Sequence, residues 1–257
     1  VMMHRFVSRS FSLPAAASTL SFLWLLCAPA SAAAAEQKPA SSQKKKEQKV
    51  LLNTRADGYR GIWYMNQPTG DQYVYKYSGG LGTYCAKHIP HAWYVKAAEK
   101  TFFTYGGTTK EGNRTLLHMV SFYDHKTGKV PRPTVLLDKK TTDAHDNPVL
   151  CIDGDGYIWI FSSSHGTARP SYISRSAAPC SIDHFDLVWT GNYSYPQPAY
   201  LPQHGFLLMH THYTKGRTNS VMKSPDGVHW SERVFLSRID HGHYQVSRSW
   251  GGKKVGA

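Results

Sequence analysis

Histidine, tyrosine and arginine fall at matching places in two similar stretches of this chain. The first opens with His145-Asp146-Asn147-Pro148, runs through apolar residues, and ends in Ser162-Ser163-Ser164-His165-Gly166. The second opens with Tyr195-Pro196-Gln197-Pro198 and ends in His210-Thr211-His212-Tyr213-Thr214-Lys215-Gly216-Arg217. Imidazole takes and gives a proton near neutral pH, a phenol can return one to a departing oxygen, and a guanidinium stays charged and grips a carboxylate through two bonds. His145, His165, Tyr195 and Arg217 are therefore candidates for chemistry, with Asn147, His210, His212 and Tyr213 beside them as candidates for ligand binding. Structural roles compete: His145 before Asp-Asn-Pro suits a turn cap, Tyr195 before proline suits packing, and Arg217 could pair with a neighbouring loop. His210 and His212 flank Thr211, so on a strand they point to opposite faces and at most one meets a shared site.

The elements that must position these residues are short strands. Ala92-Trp93-Tyr94-Val95 is predicted to pair with residues 101–105, residues 149–152 with 157–161 across Asp153-Gly154-Asp155-Gly156, and residues 199–201 with 206–209. A fourth hairpin starts at Tyr244-Gln245-Val246-Ser247 and turns at Trp250-Gly251-Gly252. Counted from Trp93, Val149, Ala199 and Val246, the repeats are 56, 50 and 47 residues apart. Hairpins at a period near 50 match propeller blades better than a sandwich. Outer strands are expected near residues 116–122, 134–137, 172–174 and 219–224, and Ser224-Pro225-Asp226-Gly227-Val228-His229-Trp230 resembles an Asp-box turn, with a structural role expected. The fold class is all-β, and residues 50–257 are predicted to form about three and a half blades of a β-propeller, truncated at the C-terminus because the chain stops mid-hairpin. In such a ring the inner strands converge on one channel, which would bring the two polar clusters together.

Composition agrees. Hydrophobic residues make up 41% and aromatics 13% of 257 residues, enough for a core, while Gly and Pro break the chain into short segments without helical period. Net charge is +13, of which residues 1–49 carry seven Lys/Arg against two Glu, or +5, leaving +8 for the remainder. Such an excess points to an anionic partner. No nucleic-acid motif or basic recognition helix is visible, so an anionic polysaccharide is expected rather than nucleic acid. Residues 1–32 read as a signal peptide: Arg5 and Arg9, an apolar run over residues 20–27 too short to span a bilayer, and the small residues Ala28-Pro29-Ala30-Ser31-Ala32. A secreted or periplasmic monomer without membrane insertion is expected. Residues 33–49 read as a disordered basic linker.

Three cysteines would remain, Cys85, Cys151 and Cys180. Cys151 with Cys180 could bridge, or both could be buried thiols. Cys85, His88 and His91 have spacing permissive for zinc but lack a fourth ligand. The glycines of residues 79–82 sit between aromatics with no following helix, which suits turns rather than a phosphate loop.

The segments Tyr59-Arg60-Gly61-Ile62-Trp63-Tyr64, residues 76–84, His145-Asp146-Asn147-Pro148, Ser163-Ser164-His165-Gly166, Tyr195-Pro196-Gln197 and Thr214-Lys215-Gly216-Arg217 resemble the BNR-repeat-containing proteins of bacterial polysaccharide utilisation, a group that includes seven-bladed propeller ulvan lyases. The resemblance implies a polysaccharide lyase acting by β-elimination on a uronate-containing, ulvan-like glycan, sulfated or not. It implies two histidines, a tyrosine and an arginine in the site, which by position are His145, His165, Tyr195 and, where the pattern departs, Arg217 as the nearest arginine. Elimination removes the proton at C5 of the uronic acid, and a cation on the adjacent carboxylate stabilises the developing enolate. No cofactor is required, and a structural calcium or zinc ion is left open. A sialidase-type glycoside hydrolase, which needs acidic groups where only Asp143 and Asp146 stand, and a non-catalytic glycan-binding propeller are the alternatives.

Overall fold

The computed structural model describes residues 49–58, 88–108, 115–141, 143–239, 246–250 and 254–256. The expected leader, the linker up to residue 48, the aromatic segments 59–64 and 76–84, Cys85, His241 and His243 lie outside the described residues. Residues Glu47–Ala257 form one compact unit. Among the described residues there is no α-helix, only strands and two 3₁₀ turns, Lys96–Ala98 and Ala144–Asp146, and no helix is long and apolar enough to cross a membrane.

Among the described residues, four antiparallel sheets follow one another along the chain. The first combines β1 (Thr54–Arg55), β2 (Ala92–Val95), β3 (Lys100–Gly107), β4 (Leu117–Asp124) and β5 (Thr134–Asp138) in the order β1-β5-β4-β3-β2. The second is the meander β6 (Pro148–Ile152), β7 (Ile158–Ser162), β8 (Ser171–Ser176) and β9 (Phe185–Gly191). The third is the meander β10 (Ser194–Leu201), β11 (Gly205–Tyr213), β12 (Arg217–Ser224) and β13 (Val234–Ile239). β14 (Arg248–Trp250) pairs with β15 (Lys254–Gly256). The three hairpins expected from the repeat form with Trp93 opposite Phe102, Val149 opposite Phe161 and Ala199 opposite Leu207. The leading strands β2, β6 and β10 are spatial neighbours in that order, and β14 follows beside β10.

Alternation explains why β6 and β7, apolar up to the terminal Ser162, are buried along their whole length. Leu150, Ile152, Ile158 and Ile160 point to one side, where they meet Phe102, Val120, Leu136 and Leu137 of the first sheet. Val149, Cys151, Trp159 and Phe161 point to the other, against Phe206, Leu208 and Met222 of the third. The second sheet is thus covered on both faces, the circumstance in which strands read as continuous apolar runs. Each fully buried Phe, Leu or Ile contributes about 1.5–3 kcal/mol.

The same alternation decides between the two cysteine readings in favour of free thiols. Cys151 faces the core shared with the third sheet, whereas Cys180 packs against the core shared with the first, and both are free thiols. Burial raises the Cys151 thiol to about 12, so it is an inert core group. Strands β9 and β13 were not anticipated. β13 opens with Val234, Phe235 and Leu236, all exposed, on a sheet edge where no inside/outside alternation is imposed.

Aspartates tie the turns. Asp153 Oδ1 accepts from the amides of Asp155 and Tyr157 while Oδ2 accepts from Trp159 Nε1. In the Asp-box-like turn, Asp226 Oδ1 accepts from the Val228 and His229 amides, Ser224 Oγ accepts from the Gly227 amide at 2.7 Å, and Trp230 Nε1 donates to the Gly227 carbonyl. Gly227 holds φ +79°, and a Cβ there would sit 2.4 Å from the Trp159 ring. Gly227→Ala is expected to lose about 1–3 kcal/mol, whereas Gly216→Ala, with no atom within 4 Å, should stay within about 0.5 kcal/mol. Equal thermal unfolding midpoints for the two variants would contradict this packing.

Candidate active site

The two polar clusters lie at equivalent corners of the second and third sheets. Pro148 pairs with Ser162 and Ser194 with Thr211, so the approach to each leading strand meets the end of its partner. Asp143 caps the 3₁₀ turn Ala144–Asp146 by accepting from the His145 amide. The same Oδ1 accepts from His145 Nδ1 at 2.5 Å, and Oδ2 accepts from His165 Nδ1 at 2.8 Å. One carboxylate thus bridges two imidazoles, whose rings stack with centroids 4.3 Å apart and planes inclined by 26°. Burial alone would raise the Asp143 carboxyl, but the hydrogen bonds from His145 and His165 outweigh it and hold the group well below the usual carboxylate range.

With Nδ1 of His165 donating to Asp143, its Nε2 is left as an acceptor, and the Tyr213 hydroxyl lies 3.1 Å from it. The Tyr213 and Tyr195 oxygens are 3.5 Å apart. Carboxylate, imidazole and phenol therefore form a line, Asp143–His165–Tyr213, with Tyr195 behind it. This is the nucleophile–base–orienter arrangement with a phenol at its end. Tyr195 reaches its place through a register shift in β10 between Ser194 and Gln197 and a left-handed backbone, φ +52°, a conformation costly for a bulky residue and found where surroundings enforce it. Its ring lies 5.9 Å from both His145 and His165 and 5.4 Å from His88.

A second carboxylate locks the frame. Asp146 is fully buried, accepts from the His165 amide at 2.5 Å through Oδ1, and pairs with Arg169 Nε at 3.0 Å through Oδ2. The three serines before His165 serve as ties. Ser162 Oγ meets His118 Nδ1, Ser163 Oγ donates to the Asn147 carbonyl, and Ser164 Oγ donates to the Pro170 carbonyl. His118 Nε2 completes the circuit on the Asp146 carbonyl.

The structure brings His145, His165, Tyr195 and Tyr213 into one cluster. Arg217 stands directly across the β11–β12 ladder from Tyr213, so the two side chains share a sheet face. Two binding expectations are corrected. His210 is buried, its Nε2 accepts from Arg233 Nε at 3.0 Å, and Arg233 also donates to the Asn192 carbonyl, so it is a core group. Asn147 is fully enclosed by the second sheet's corner and offers no surface to a ligand. Tyr195 is only 1% exposed; the open groups are His165 (33%) and Asp143 (28%). His212 is half-buried opposite Thr218. The sequence signal missed was the pair Asp143-x-His145, which marks a side chain capping its own turn while holding an imidazole.

Among the described residues, Asp143, His145 and His165 form a group whose ligand atoms all lie within 4.8 Å of one another. A cation there would need both imidazoles to give up their bonds to Asp143, so proton relay and ion binding are alternative uses of the same atoms. His88 and His91, the candidate zinc ligands, are not part of that group: their rings are 6.4 Å apart and His88 Nε2 faces Ser163 Oγ.

The profile of the BNR repeat-containing family matches residues 92–245. The chain belongs to that family. None of the curated proteins matches it. Among solved structures it is similar to a PL25 ulvan lyase, a polysaccharide lyase, alone and bound to -[GlcA(1-4)Rha3S]-. In each case identity is 16% and the TM-score 0.49, covering 77% of this chain and 43% of the lyase. The chain therefore spans less than half the length of those proteins.

Burial lowers His91 to about 4 and His210 to about 3, and pushes His118 well below the ordinary 6.5. The folded state then binds fewer protons than the unfolded chain below that ordinary value, so stability is lost as pH falls through it. The unfolding midpoint should drop between about pH 7 and about pH 4, with a shallower slope in His210→Gln. A parallel slope in that variant would remove His210 from the account.

Proposed function

We propose that this chain is part of a secreted or periplasmic β-propeller polysaccharide lyase that cleaves a uronate-containing acidic glycan by β-elimination. The observation that carries this reading is the line Asp143–His165–Tyr213, a base and a phenol in hydrogen-bonding reach of each other, with His145 stacked on the base. The family assignment, the succession of four-stranded meanders with neighbouring leading strands, and the net positive charge support it.

In the proposed step the base removes the C5 proton, the C5–H electron pair becomes the C4–C5 double bond, the C4–O bond breaks, and the leaving oxygen takes a proton. His165, oriented by Asp143, and Tyr213 handle the two protons. His145 shares the carboxylate and keeps the first ring in place. Arg217, on the face of Tyr213, is the group assigned to the substrate carboxylate, where a fixed cation stabilises the enolate. Tyr195, 1% exposed, backs Tyr213 and lies beside both imidazole rings. Hydrolysis by paired carboxyls fits less well, because Asp143 already serves two imidazoles and Asp146 is buried against Arg169.

The deciding experiment incubates the protein with ulvan and other polyuronates and follows the ultraviolet absorbance of the unsaturated uronate. His165→Ala and Tyr213→Phe should each lower the rate by about 10²–10⁴-fold without matching loss of glycan binding. Treatment with a chelator should leave the rate unchanged. New reducing ends without the chromophore would replace the lyase by a hydrolase, and binding without either product would leave a glycan-binding protein.

A further inference from the structure

A cleft of about 440 Å³ opens between the end of the first sheet and the loop that follows His165. Its walls include Lys49, Lys139, Lys140 and Arg169 against a single carboxylate, Asp138, and one side is closed by Tyr172. None of the residues assigned to proton transfer lines it.

The charges around this cleft do not cancel. Asp138 Oδ1 already accepts from the Lys140 amide at 2.6 Å, in a turn where Lys140 holds φ +51°. Lys139 is 5% exposed, and its Nζ donates to Ser164 Oγ at 3.0 Å and to the Pro170 carbonyl at 2.8 Å, both neutral acceptors. An ammonium has three protons to donate, and these contacts use two. Arg169 spends its Nε on the buried Asp146, which leaves the two terminal nitrogens of the guanidinium outside that bond. Asp146 is the carboxylate that both Arg169 and Lys139 feel, one negative charge against two positive. Burial first, then repulsion from Arg169, lowers Lys139 to about 8 in spite of Asp146. Buried charge that is not matched calls for an opposite charge from elsewhere. Tyr172, whose ring lies under Lys139 Nζ at 5.3 Å, supplies the apolar part of the wall.

We propose that this cleft is an anion-binding subsite that takes a sulfate or carboxylate group carried on a sugar unit. The sugar as carrier rests on the function proposed above; the oxyanion does not. The buried Lys139 and the partly exposed Arg169 form the floor, where charge-assisted bonds hold the anion, and the exposed Lys49 and Lys140 form the rim that gathers it.

The test uses the whole protein and the exposed pair Lys49→Ala/Lys140→Ala, which leaves Lys139 and Arg169 in place. Unfolding midpoints are followed in inorganic sulfate and in chloride at matched ionic strength. Calorimetry then compares a sulfated oligosaccharide with its desulfated counterpart, each retaining its uronate. Because sulfate stabilises folded proteins in general, the quantity read is the difference between parent and variant. The expected result is a sulfate response that the double variant loses in large part, and sulfated over desulfated binding about tenfold tighter in the parent and close to equal in the variant. A double variant that responds to sulfate as the parent does would overturn the anion site. Sulfate dependence lost from the variant, but equal affinity for the two oligosaccharides in the parent, would overturn the sugar-borne sulfate and leave the carboxylate to be tested by reducing it to the alcohol; unchanged binding after that reduction would overturn the subsite for sugars altogether. These are binding readouts, so an intact response without any unsaturated product would sink the lyase reading and not this one.

Discussion

A carboxylate that accepts from two imidazoles at once can occupy only a narrow range of positions, and the site is built around that restriction. Asp143 holds Nδ1 of both His145 and His165, which fixes the tautomer of each ring and turns both Nε2 atoms away from it. Both rings reach that shared carboxylate through Nδ1, and so they stack with centroids 4.3 Å apart. Asp143 is placed by the backbone turn it caps, so the chemistry is coupled directly to the local fold.

That turn is anchored by buried polar groups rather than by apolar packing. Asp146, His118, Ser162, Ser163 and Ser164 are all enclosed and tie the approach to β6 to the exit of β7. A network of this kind strengthens its own members in a low-dielectric setting and is costly to leave half satisfied. Precision in a site comes from such supporting bonds on rigid elements. The loop after His165 is held similarly, by Asn192 donating to the Gly166 and Arg169 carbonyls.

Much of this was legible in the chain and some was not, for definite reasons. The leading hairpins of three sheets announced themselves because their strands are buried on one or both faces, which forces apolar runs of fixed length. β9 and β13 did not, since an edge strand with one solvated face accepts Asp186 as readily as Phe235. His145 and His165 were legible from their repeated placement. Asp143 was not, because its role depends on two contacts across a turn and a strand end. His210 misled because a histidine motif does not reveal that Arg233, more than twenty residues later, will donate into its ring. Tyr195 was found, but its enclosure was not, because the bulge and the left-handed backbone that set its direction leave no periodic trace.

The first sheet differs from the two four-stranded sheets in where its outer strand comes from. β9 and β13 are the last strands of their own meanders, so those sheets assemble from neighbours in the chain. β1 instead lies against β5, Thr54 beside Val135, with β2, β3 and β4 intervening in sequence. Completing that sheet means closing a long loop, whose entropy must be met before the contact rewards it. Among the described strands, β1 comes first as the chain emerges, and its pairing with β5 can form only after β2, β3 and β4 have followed.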